Sequence, residues 1–314
     1  MVKPDDSSLD EAAQRAVELR AQKLLDRANA WKRFPTPVDD IVAAAKLRVA
    51  PSSIFDVENI LAYAKEKAGG VVQTIKGAIS KVFGLYDAND DVIHIDSTVG
   101  QSRQNFLKLH ETGHHELPAH RKIFRLFQDC EETLSPEIAD LFERQANHFA
   151  RYSLFQGNAY QQHAADHTLS LKVPIKLAKT FGASIYASVR EYARTHHMAC
   201  VVYVLERLVI TPGTIPNGQV RRIETSPLYR YQFGIPKDRI IGPTHTLFAV
   251  LPLGRRMTRP LTIHICDRNG TPHECIAEAF DTTWNVIILV FPVKELTSTT
   301  IFISPAGTQI PPLL

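Results

Sequence analysis

Residues 107–120 read LKLHETGHHELPAH, with four histidines and two glutamates in fourteen positions. Within it, His110-Glu111-Thr112-Gly113-His114 has the form H-E-x-x-H. Residues four apart on an α-helix lie about 40° apart around the axis and one turn along it. The imidazoles of His110 and His114 can therefore reach one tetrahedral Zn²⁺. Glu111 stands off that pair, yet within reach of a water at an open position, where a carboxylate can serve as general base. Phe106, Leu109, Gly113 and Leu117 recur at helical spacing, and Pro118 marks the end of the helix. His115 points about 140° from His110, which reads as a surface or packing histidine. Glu116 and His120 are expected to be exposed around the helix end.

A five-residue pattern also arises by chance, so the reading depends on a third protein ligand. A second helix start stands at Ser135-Pro136-Glu137, with a capping serine, proline at the first position and an early acid. That helix runs through ADLFERQANHFARYSLF and stops at Gln156-Gly157-Asn158. Packed beside the first helix, it could present Glu143 to the metal. Asn147, one turn later, would point the same way and could hydrogen-bond a ligand. Glu131, Glu132 and His120 remain rival third ligands. His148 lies off the Glu143 face.

Working outward, 314 residues suit two or three units of ~100–150 residues each. The composition, 44% hydrophobic and 22% charged with a net charge of +3, neither demands nor excludes a polyanionic partner. Cys130, Cys200, Cys266 and Cys275 are too few for a disulfide scaffold, which points to a reducing compartment. The opening MVKPDDSSLDEAAQRAVELRAQ has no apolar core of the signal-peptide type, and no stretch nears the ~18 apolar residues of a membrane span. A cytoplasmic protein without a membrane segment is the expectation.

Asp10 to Trp31 reads as a helix, with Leu19, Leu24 and Leu25 among its apolar positions. In PTPVDDIVAAAKLRV, Thr36 is placed to cap and Pro37 to open a second helix. Ser53 to Lys67 suits another, and GLYDANDDVIHID alternates like two strands about a polar turn. The fold class expected is α+β. A zincin-like helical domain with a small β hairpin spans 1–156, a helical segment 157–199, and a β-rich domain 200–314.

Segment 83–150 resembles the ImmA/IrrE family of metallo-endopeptidases, and the resemblance extends over about 35–155. PVDDIVAAAKLRV resembles the family's helix ahead of its sheet, GLYDANDDVIHID its hairpin, and RQNFLKLHETGHHEL its zinc helix. ERQANHFA resembles the helix that carries the third ligand. The resemblance implies Zn²⁺ ligands His110, His114 and Glu143, with Glu111 as base. It also implies a protein substrate, an Xre-type helix-turn-helix repressor whose cleavage relieves repression in stress response or mobile-element control. The chain departs from the family after Ala150, where RYSLF replaces a leucine run and a proline. Two histidines and a carboxylate can also hold Mn²⁺ or Fe²⁺.

LAKTFGASIYASVREYA (177–193) has a helix-turn-helix look, with a turn glycine at 182 and basic residues Lys172, Lys176, Lys179, Arg190 and Arg194 nearby. Direct DNA contact is one reading. Ordinary packing is preferred, because a DNA reader carries a denser basic face. VVYVLERLVI, HTLFAVLPL, LTIHIC and NVIILVFPV mark the β-rich unit, for which a GAF-like sensor is one reading left open. Its HICDRNGTPHEC could form a hairpin turning at Asn269-Gly270. A two-residue turn there would put His264, Cys266, His273 and Cys275 on one face, a second metal set. Strand packing is the preferred reading of those four.

Three function classes follow. The first is a zinc endopeptidase directed at a repressor. The second is a regulatory module that binds a repressor or DNA without cutting. The third is a broad-specificity protease, against which the lack of a signal or pro-segment argues, since an unrestrained protease in the cytoplasm would be harmful.

Overall fold

The structure is a computed structural model that describes residues 5–50, 84–87, 90–96, 98–121, 135–208 and 216–293. The helix expected over Ser53–Lys67, and Cys130, Glu131 and Glu132, lie outside the described residues. The chain forms two units, Met1–His196 and His197–Leu314. Helices together with β elements that are antiparallel except for one parallel pair, Arg48–Val49 with Val92–Ile95, give an α+β protein.

In the first unit, α1 is Glu11–Arg27. The Asp10 carboxylate accepts from the Ala13 amide at 2.8 Å and satisfies one free donor of the first turn. Val17, Ala21, Leu24 and Leu25 form its buried stripe, whereas Leu19 is 52% exposed. The second helix, α2, is Val38–Ala44. Thr36 does not cap it. Its hydroxyl donates instead to the Leu154 carbonyl at 2.7 Å, and so ties this turn to the end of a distant helix.

Three strands form a small sheet in the order β1-β3-β2: Arg48–Val49, Val92–Ile95 and Gly84–Asp87. The pair β2–β3 is the antiparallel hairpin expected from GLYDANDDVIHID, with Tyr86 opposite Ile93. Two helices follow, α3 over Gln101–Glu116 and α4 over Pro136–Leu154. Pro136 opens α4 as the sequence suggests, since proline lacks an N–H that would be unpaired there anyway. After the last turn, Gln156 and Gly157 adopt φ of 50° and 59° and redirect the chain.

α4 packs against both α3 and α1. The α3 contact depends on Gly113: a Cβ there would lie 3.2 Å from Phe149. Glycine lets the two backbones approach closely, and that approach carries Glu143 toward the α3 histidines.

Three further helices, α5 (Ala159–Ala165), α6 (Lys172–Phe181) and α7 (Ile185–Thr195), fall within the first unit. Tyr160 packs its ring edge-on to Phe155 at 4.8 Å, and its hydroxyl donates to the Ser188 carbonyl at 2.8 Å. The α6–α7 turn has Gly182 at φ 70°, a left-handed position that suits glycine, and Ser184 caps α7 by accepting from Ala187 N. No residue of α7 is exposed. On α6, Lys172, Lys176 and Lys179 are exposed.

The second unit is built on a six-stranded antiparallel sheet, ordered β6-β5-β4-β9-β8-β7. Its strands are β4 Val201–Glu206, β5 Gly218–Thr225, β6 Ile240–Ile241, β7 Leu261–Cys266, β8 Pro272–Asp281 and β9 Asn285–Pro292. Central strands β4 and β9 are apolar runs buried on both faces, which explains why VVYVL and VIILV do not alternate. Tyr229 of α8 (Pro227–Phe233), with Leu247 and Val250 of a 3₁₀ turn (Thr246–Val250), joins the core on one face.

Candidate metal centre

The two histidines of H-E-x-x-H come from consecutive turns of α3, and both are buried. Glu143 enters from α4. The Nε2 atoms of His110 and His114 lie 3.2 Å apart. The Glu143 oxygens lie 3.4 Å from His110 Nε2 and 3.5 Å from His114 Nε2. Ligands about 2.0–2.1 Å from a tetrahedral ion stand about 3.3–3.4 Å from one another. The two Glu143 contacts use different oxygens, Oε2 toward His110 and Oε1 toward His114, so the carboxylate spans the two Nε2 atoms, and one ligand atom from each residue lies within 4.8 Å of the others, close enough to share one ion. Among the described residues this is the one group of three or more His, Cys, Asp or Glu that could hold a metal ion.

The backs of the two rings decide what their front nitrogens present. Asn147 on α4 donates through Nδ2 to the Asp6 carbonyl at 2.9 Å, which leaves its Oδ1 facing His110 Nδ1 at 3.0 Å. An amide oxygen only accepts, so Nδ1 of His110 carries the proton and Nε2 presents a lone pair. His114 is held in the same sense. Gln145 Oε1 accepts from His120 Nε2 at 2.7 Å, and His120 Nδ1 then accepts from His114 Nδ1 at 3.0 Å. With both imidazoles neutral, two lone pairs and a carboxylate converge. Only a positive charge, a metal ion or a proton, makes such a cluster favourable.

The proton affinities express the same demand. Burial alone would lower the His110 pKa, but the hydrogen bond to Glu143 and the charges of Glu111 and Glu143 outweigh it and raise the value to about 9. Burial would raise Glu143, yet the hydrogen bonds and charges of His110 and His114 hold its carboxyl far below the usual range. Burial pushes Glu111 up, against the charges of His110 and His114 and a hydrogen bond from the Tyr86 backbone amide. Glu111 is thus a buried carboxylate beside the three candidate ligands, pinned by the strand β2. The Glu143 side chain is 51% exposed against 5% for His114, so the site opens to solvent on the α4 side.

The other histidines separate clearly. His115 packs edge-on against Tyr86, whose hydroxyl lies 2.7 Å from its Nδ1. His148 is buried and reaches Glu18 Oε1 at 3.0 Å, away from the centre. Glu116 is only partly exposed and pairs with Arg27. His120 departs from expectation: it is fully buried and stacked on Phe142 at 3.9 Å, not exposed at the helix end. Pro118 ends α3, and helical residues 118–121 fold His120 back onto His114. Its six-residue offset from His114 matches no helical period, so spacing could not reveal it.

The hairpin read as a second metal set has a different register. Cys266 pairs with Pro272, His264 with Glu274, Ile265 with His273 and Ile263 with Cys275. Five residues separate Cys266 from Pro272, not the two of a tight turn, and the register places His264 and Cys266 opposite in face to His273 and Cys275. His273 meets Asp267 at 3.1 Å, Cys275 is buried and Cys266 is exposed. These four do not converge.

Residues 66–190 match the family Peptidase_M78, described as the IrrE N-terminal-like domain. That span reaches beyond the expected resemblance at its C-terminal end and takes in α5, α6 and half of α7. A search of the curated proteins finds no match. Among solved structures, a Mycobacterium tuberculosis transcriptional regulator is similar, at 11% identity with a TM-score of 0.44, covering 88% of this chain and 75% of that one.

Proposed function

Because residues 66–190 form an IrrE N-terminal-like domain of a peptidase family, in keeping with the ImmA/IrrE metallo-endopeptidases, we propose that this protein is a zinc-dependent endopeptidase. Its substrate in this reading is an Xre-type helix-turn-helix repressor, whose cleavage relieves repression. The observation that carries the reading is the convergence of His110, His114 and Glu143, with ligand atoms within 4.8 Å of one another, beside a buried Glu111.

His110 and His114 would bind through Nε2 and Glu143 through its carboxylate. Zinc held there would polarise a peptide carbonyl and make water acidic enough to ionise near neutral pH. Glu111 performs the proton transfers. Its buried carboxylate would take a proton from the water as the C–O bond forms, and then return it to the amine nitrogen, so that the C–N bond breaks as the carbonyl reforms. The Tyr86 amide fixes where that carboxylate points. Mn²⁺ or Fe²⁺ would suit the same donors. For the β-rich unit a GAF-like sensor role is the reading kept.

A module that only binds a repressor would have no chemical use for Glu111 in that place, and DNA contact through α7 is disfavoured by its lack of an exposed residue. Glu111→Gln tests the mechanism. It is expected to retain zinc, by metal analysis, and to lose about 10²–10⁴-fold in cleavage rate. His114→Ala is expected to lose both. A Glu111→Gln protein that cuts at the parental rate would contradict the proposal.

A further inference from the structure

The side chains behind His114 form a line that the peptidase reading leaves without a role. His120 is wholly buried, yet it belongs neither to the ligand set nor to the apolar core. It touches three things at once. Its Nδ1 meets His114 Nδ1 at 3.0 Å, its Nε2 meets Gln145 Oε1 at 2.7 Å, and its ring stacks on Phe142 with planes 18° apart. Phe142 and Gln145 flank Glu143 on α4. His120 thus contacts a ligand on α3 and both sides of the ligand on α4.

We propose that His120 is a positioning residue for metal binding: it fixes the His114 ring and its tautomer, and holds α4 at the distance that brings Glu143 into the ligand set. Gln145 is the anchor that orients His120. The inference rests on the proposed zinc site and deepens it. An amide oxygen cannot donate, so Gln145 obliges His120 to donate from Nε2 and accept at Nδ1. That acceptor in turn keeps the proton of His114 on Nδ1 and its Nε2 free to ligate. Asn147 performs the equivalent task for His110, so each histidine ligand has its own orienting partner.

Two substitutions separate the acceptor from the ring. His120→Phe keeps the stack on Phe142 and removes the acceptor. His120→Asn gives up the stack but can present an oxygen near the position of Nδ1. Zinc affinity is measured on the full chain by competition with a chromogenic chelator, and Co²⁺ loading reports ligand geometry through its visible spectrum. The expected result is a loss of about 10–100-fold in affinity for His120→Phe with an altered Co²⁺ spectrum. His120→Asn should stay closer to the parent. Gln145→Met, which leaves His120 in place, should weaken zinc in the same direction and covers the case in which a His120 variant does not fold. Parental zinc affinity in His120→Phe or in Gln145→Met would overturn the inference, and so would equal losses for Phe and Asn at position 120. A parent protein that takes up no zinc would overturn the peptidase reading along with it, which distinguishes that failure from the others.

Discussion

A glutamate on a helix face is ordinarily a solvated one, and Glu143, with half its side chain exposed, could pass for such a residue. What distinguishes it is that its two oxygens face the Nε2 atoms of two buried imidazoles. The repeat of four made His110 and His114 legible in the sequence, and the ERQANHFA pattern singled out Glu143 and Asn147. His120 was not legible, because a turn broken by Pro118 returns it to His114 at a spacing no helix uses. The Asp6 carbonyl that orients Asn147 was equally hidden, since it lies 141 residues away in an extended segment. The charge balance at these residues sets a pH dependence. In the metal-free protein His110 holds a proton up to about pH 9, so zinc must displace it. Apparent zinc affinity should therefore rise with pH toward 9, by up to about tenfold per unit. Chelator competition across pH 6.5 to 9 checks this. The stability of the metal-free fold should move oppositely. The His110 pKa is raised above its ordinary 6.5, so its contribution is full below pH 6.5 and is lost as pH rises through about 9. Thermal melting of metal-free protein in that window should show a decline.

At the scale of elements, the α3–α4 contact makes the site, and Gly113 makes that contact. Its place inside H-E-x-x-H hides a packing role behind a catalytic pattern. Gly113→Val should push against Phe149 and destabilise the protein by about 1–3 kcal/mol, by denaturant titration. Zinc affinity should fall with it as α4 is displaced. Most helices were readable from caps and prolines: Asp10, Pro136, Gly182 and Ser184 stand where the helices begin or end. Thr36 was read as a cap because its type fits, yet a buried carbonyl at Leu154 claims its hydroxyl. The β7–β8 hairpin failed on register alone. Asn-Gly suggests a two-residue turn, but Asp267 accepts from the Asn269 and Thr271 amides at 2.8 and 2.9 Å and closes a longer loop.

On the scale of the whole molecule, the chain divides after His196, and the helices α5 to α7 belong to the unit that carries the site. The sequence reading set off 157–199 because a helix stop stands at Gln156-Gly157-Asn158 and β-rich sequence begins near 200. Contacts distant in sequence prevent that separation: Asn105 of α3 donates to the Gly182 carbonyl at 3.0 Å, and Arg190 of α7 donates to Asp5 at 2.6 Å. A ligand that binds only the folded state stabilises it by about 2.7 kcal/mol at a hundredfold excess over Kd. Zinc should accordingly raise the melting temperature of the full chain and leave His114→Ala unmoved, as differential scanning fluorimetry would report. Among the described residues no helix is long and apolar enough to cross a membrane. The central claim, that this centre cuts a protein and that Glu111 moves the proton, has a direct test. Zinc-loaded protein and its Glu111→Gln variant are each mixed with a purified Xre-type helix-turn-helix repressor, and the products are read by mass spectrometry. The account predicts one discrete cleavage by the parent and an intact repressor with the variant. Equal fragmentation by both, or a repressor bound and uncut by the zinc-loaded parent, would contradict it.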